Sequence, residues 1–271
     1  MMERLRTRWI IFSGLAIVVI AAYLVTVRFK TVPSPATLKA YEYIETLPES
    51  SIVIFSFDHE ASSLPEIQPI ALALLRHAFK NNIKIVGLSL FAEGTAIGYN
   101  LMNKTAGEYG KVYGRDYVFL GFKPQYISAI LGMGESIKRV FPEDYLGNAV
   151  DTLPLMNNVD KYDKIAMIVS IADGDRTVQW VEYAGARYNQ AVMAGLTAAM
   201  ITSYDPYLSS EQLYAVVGGL RGAAEYENLL DQRGGGTRGM LAQSAAHLYI
   251  IVLVVIGNVV YFRGRRKRGG A

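Results

Sequence analysis

Two short runs of ionisable residues each follow directly on an apolar run. Asp58-His59-Glu60 closes 52–57, and Ala172-Asp173-Gly174-Asp175 closes 165–171. Carboxylates gathered at one place suit a hard cation such as Mg²⁺ or Ca²⁺, which prefers carboxylate and hydroxyl oxygens. Such an ion can activate water or organise a phosphate. Asp58, Asp173, Asp175 and the hydroxyl of Thr95 are the candidate metal ligands, and Ser62 could complete the set. His59 titrates near neutrality and is the candidate general base, in a candidate catalytic group with Asp58 and Glu60. The plainer alternative is that acids at strand ends solvate loops and cap helices. A lone loop histidine, likewise, more often serves as a hydrogen-bonding residue.

The elements that must position these residues are readable from apolar pattern. The run 52–57 is continuous, β-branched and aromatic, as expected of a strand buried on both faces. Ser63-Leu64-Pro65-Glu66 then reads as a capping box with an early proline, opening a helix to about residue 80. Further strands are expected at 84–90, 116–122, 165–171 and 191–194, with helices between them. Phe91 to Thr95 reads as a second strand-end loop, and 125–140 as one helix. A capping box at Ser209 and Gln212 predicts a closing helix to about residue 230, carrying Gly218, Gly219 and Gly222. Alternating apolar strands and helices predict an α/β, Rossmann-like fold: a mainly parallel sheet of about five strands with helices on both faces. In such sheets sites lie beyond the carboxyl ends of the strands. That edge would gather Asp58, His59, Glu60, Glu93, Thr95, Lys123, Asp173, Asp175 and Thr197. No internal repeat or heptad pattern stands out.

The set resembles in part the von Willebrand A domain, where an Asp-x-Ser-x-Ser loop, a threonine and an Asp-Gly turn form a metal site. The corresponding residues are Asp58-His59-Glu60-Ala61-Ser62, Gly94-Thr95 and Asp173-Gly174. The resemblance implies a divalent cation among them. Glu60 stands where the family has its first serine, and Thr95 follows the second strand very closely, so no family membership is drawn from it.

Composition narrows the chemistry. Among 271 residues there is no cysteine and there are three histidines, which excludes disulfides, thiolate ligands and a cysteine nucleophile. A multi-histidine metal site is disfavoured too: His77 falls in a helical core pattern and His247 near the start of an apolar span. No Gly-x-Gly-x-x-Gly follows a strand, and neither a Walker A lysine motif nor a Gly-x-Ser-x-Gly elbow is present.

The ends set the class. Residues 9–27 and 245–262 are uncharged apolar runs long enough to cross a hydrocarbon core of ~30 Å. A signal peptide is the alternative for the first and a buried core helix for the second. Arg4, Arg6 and Arg8 precede the first run and Arg263 to Arg268 follow the second. Arg28, Lys30, Arg233 and Arg238 make a thinner inner flank, so both termini are expected in the cytoplasm. The expected organisation is a tail over 1–8, a span over 9–27 and an extracytoplasmic α/β domain over 31–232. A Gly-rich linker over 233–244, a span over 245–262 and a basic tail over 263–271 complete it. Eighteen tyrosines suit contact surfaces. The function this favours is a non-catalytic binding or assembly subunit of a membrane protein complex. Its expected partners are membrane lipids and either copies of itself or another membrane protein, with no nucleic acid. A metal-assisted envelope hydrolase or transferase, or a small-ligand sensor, is the alternative.

Overall fold

The computed structural model describes residues 2–25 and 32–268. Arg28 and Lys30 of the inner flank, the end of the first predicted span, and residues 269–271 of the tail lie outside the described residues. The chain divides into two units, Lys30–Gly236 and the terminal segments Met1–Phe29 with Thr237–Ala271.

In the first unit the order is α2 (Pro35–Thr46), β1 (Ile52–Asp58), α3 (Leu64–Lys80), β2 (Lys84–Ser89), α4 (Ala92–Glu108) and β3 (Tyr117–Phe122), with α1 (Met2–Leu24) belonging to the second unit. Then come α5 (Tyr126–Glu135), α6 (Ile137–Val140), β4 (Ile165–Ala172), α7 (Arg176–Gln179) and α8 (Ala186–Tyr188). The unit closes with β5 (Val192–Leu196), α9 (Ile201–Ser209), β6 (Ala215–Gly218) and α10 (Gly219–Leu229). All pairings are parallel and the strand order is β3-β2-β1-β4-β5-β6. This is a Rossmann-like sheet whose order reverses between β1 and β4.

Both faces are covered, which is why the strands read as unbroken apolar runs. Val53, Phe55 and Phe57 of β1 join α2, α3, α4 and α10 in one core, whereas Ile54 joins α5, the irregular 141–164 stretch and α9 in the other. Helix α4 approaches β1 closely: a Cβ on Gly98 would strike the Phe57 ring, and one on Gly94 the Phe57 carbonyl. These two glycines, four apart on one helical face, let the end of β1 be covered by backbone.

Several expectations need correction. The sheet has six strands, not five, because Ala215–Gly218 forms β6 where a helix was expected. Four residues are too few to show a period, and Gly219, at φ +59°, opens α10 rather than lying inside a continuous helix. Ser209 ends α9 instead of capping a helix. Ser63 makes no capping bond. Its hydroxyl donates to Glu60 O at 2.8 Å, and Glu66 accepts instead from Ala198 N. The 125–140 helix breaks at Ser136, whose extended backbone starts α6. Thr95 lies within α4, which begins at Ala92.

In the second unit, α1 and α11 (Gly235–Arg268) are the terminal helices. Helix α11 starts inside the stretch expected to be a linker. The segments Thr7–Leu24 and Gly235–Arg263 are long and apolar enough to cross a membrane. They meet where Gly14 admits the Tyr249 ring, and the Tyr249 hydroxyl donates to Ile11 O at 3.1 Å.

Candidate functional site

The site forms at the carboxyl ends of β1 and β4, where the sheet order reverses. Parallel pairing sets Asp58 beside Ala172, so the polar turns that follow both strands open on one rim. A cavity of about 390 Å³ lies there, lined by Asp58, Glu60, Ser62 and Ser63 from one side and by Asp173 to Arg176 from the other, with Phe91 beside them.

Asp58 is 2% exposed. It accepts from Ser56 Oγ at 2.5 Å, Leu90 N at 2.6 Å and Trp180 Nε1 at 3.4 Å. Burial pushes its carboxyl up to about 6, against the opposing pull of these donors and of the Arg176 charge. His59 is fully buried, and burial holds its imidazole below the usual histidine range. Its Nδ1 lies 3.1 Å from Glu60 O, while Nε2 has no hydrogen-bond partner.

Three further acids share one habit: each accepts a backbone N–H from another loop. Asp173 accepts from Glu60 N at 2.8 Å, Glu93 from Ala61 N at 3.2 Å and Glu66 from Ala198 N at 2.8 Å. Asp58, through Leu90 N, does the same between β1 and the end of β2. Ser62 Oγ donates to the exposed Glu60 carboxylate at 3.2 Å. The rim is laced together by carboxylates that satisfy loop donors which strands and helices leave over.

The fold thus brings Asp58, Glu60, Asp173 and Asp175 to one cavity. Thr95 does not line it; its hydroxyl lies 3.5 Å from Phe91 O in the first turn of α4. Among the described residues, no three His, Asp or Glu side chains group as a metal site would require. Lys123 sits over the Phe141 ring, 5.3 Å from its centroid.

Two residues of the site were not anticipated. Arg176 stacks on Tyr126 at 4.0 Å and donates to Asp175 at 2.8 Å, while its Nε is buried without a partner. Its place directly after Asp175 was the available signal. Trp180 opens a π-helical turn, Trp180–Gly185, that carries its indole to Asp58. Such turns recur at functional sites, and nothing in the residue pattern announces this one.

No family model matches the chain, and no curated protein does. Among solved structures it is similar to the C-terminal domain of a glycosyl transferase group 1 family protein from Francisella tularensis. The TM-score is 0.35 at 10% identity, over 82% of this chain and 95% of that one. So slight a likeness bears on neither fold nor activity.

Proposed function

We propose that this chain is a membrane-tethered subunit with a non-catalytic binding or assembly role. Its α/β domain lies outside the cytoplasm and both termini lie inside. The observation that carries this reading is the use made of the rim carboxylates. Asp58, Glu66, Glu93 and Asp173 are each engaged by an N–H from another loop, an arrangement that fixes a recognition rim rather than freeing bases for proton transfer. The full chain in detergent, melted with and without millimolar Mg²⁺, Ca²⁺ or Mn²⁺, tests it. Unchanged melting is expected, and a rise of several degrees that Asp58→Asn abolishes would overturn it. For topology, Asp163→Cys should react with a membrane-impermeant maleimide in intact cells; labelling only after lysis would reverse the orientation.

One observation favours a second reading. Asp58 has a carboxyl raised to about 6 and lines a cavity with Asp173 and Asp175. A Mg²⁺- or Ca²⁺-assisted hydrolase or transferase would use that set, and the same cation titration separates the two readings.

A further inference from the structure

We propose that the outward face of α11 is a homodimer seam, on which two copies of this chain pair in parallel through Asn258. The proposal rests on the membrane-tethered reading above and names the partner for it. Tyr249 faces α1, through its bond to Ile11 O. Asn258 lies nine residues on, about two and a half turns at 3.6 residues per turn, so it projects from the opposite side of α11. Ser244, His247, Ile251, Val254 and Tyr261 share that side. They are exposed, Ile251 at 59%, Val254 at 57% and Tyr261 at 62%. Their spacing alternates three and four residues from 244 to 261, the seven-residue repeat of a two-helix seam.

Of the polar side chains on this stripe, Ser244 and His247 lie at the start of the span, whereas Asn258 lies within it, which is costly if lipid alone covers it. Asn258 Nδ2 donates to Val254 O at 2.9 Å within its own helix. That bond leaves one amide hydrogen and the carbonyl oxygen for a partner. A second copy supplies the matching groups without further design. Copies inserted in one direction give parallel helices, so each seam residue meets its own counterpart. The carboxamide, both donor and acceptor, is complementary to itself. A buried asparagine at such a seam position also fixes register, and asparagine bonds between helices form in lipid.

The chain has no cysteine, so single-cysteine variants of the full protein report the seam cleanly. In liposomes under mild oxidation, Val254→Cys should give a species of twice 29.9 kDa, while Leu253→Cys, turned toward α1, should not. Energy transfer between labelled copies should show self-association that Asn258→Leu weakens roughly tenfold and Asn258→Gln largely keeps. Monomers at every protein-to-lipid ratio, equal cross-linking at 253 and 254, or an Asn258→Leu variant that associates like the parent would each overturn the seam. An inserted monomer sinks the seam alone, whereas a chain extracted from membranes by alkali sinks the tethered reading as well.

Discussion

Two buried histidines mark two differently built regions of the α/β unit. His77 sits in the seam between α2, α3 and α10, and His59 at the rim where β1 ends; both are fully buried. His77 Nε2 lies 2.7 Å from the Glu45 carboxylate and Nδ1 lies 2.8 Å from the Tyr226 hydroxyl, with Tyr41 stacked at 4.5 Å. A carboxylate only accepts, so Nε2 carries the hydrogen and Nδ1 receives the tyrosine proton, a neutral ring satisfied at both ends. At the rim, the Glu60 carbonyl likewise holds the hydrogen on Nδ1 of His59, but Nε2 is then a buried acceptor facing no donor. An orphaned buried polar atom costs about 1–3 kcal/mol. The seam is therefore a closed network that fastens three helices, and the rim keeps hydrogen-bonding capacity unspent. Local rules fail where a protein has work to do, which makes the rim, rather than the better-bonded seam, the place to look for a ligand.

The largest effect should come from opening the closed network. His77→Ala leaves a cavity and strands the buried Tyr226 hydroxyl, a loss of about 4 kcal/mol. His59→Ala also leaves a cavity but removes an unsatisfied atom, a loss of about 1 kcal/mol. Melting of both variants in detergent checks this, and equal losses would break the contrast.

Next in size is the pH dependence, in which Asp58 and His77 oppose each other. Asp58 titrates near 6 in the fold against an ordinary 3.8, so the native state holds the proton more tightly than the unfolded chain. Its contribution is full below about pH 4 and is lost as pH rises through 6, a change of about 3 kcal/mol. His77 has its pKa lowered, chiefly by desolvation, so its contribution stands above 6.5 and is lost as pH falls through the depressed value. Asp58→Asn should accordingly gain on the parent between about pH 4 and 6, and His77→Phe should flatten the acid limb. Parallel pH curves for the parent and Asp58→Asn would mean that Asp58 is not held protonated.

The parallel sheet, its two covered faces and the sharing of one edge by Asp58 and Asp173 were legible, because six or more apolar residues ending in acids leave few alternatives. β6 was not, since four residues, the last of them Gly218 and followed at once by Gly219, carry no period. The capping pattern at 63–66 misled because Glu66 is drawn to Ala198 N, a partner from a distant loop that no local pattern contains. Trp180 was hidden for the same reason: a π turn is a tertiary outcome. The seven-residue spacing along α11 was masked by a background apolar on every side, so the stripe emerged only once Tyr249 fixed which side faces α1.

The smallest effect is the sharpest test of what the rim acids are for. If Asp173 serves as an acceptor for Glu60 N rather than as a charge, an amide oxygen can replace its carboxylate oxygen. Asp173→Asn should then cost less than about 0.5 kcal/mol, while Asp173→Ala, which frees that N–H, should cost about 1 kcal/mol. Water reaches the half-buried site and keeps the second figure modest. Glu93→Gln should behave like Asp173→Asn, since Ala61 N needs only an oxygen. A loss from Asp173→Asn as large as that from Asp173→Ala would mean that the charge itself matters, and a rim built around charge is one that holds a cation.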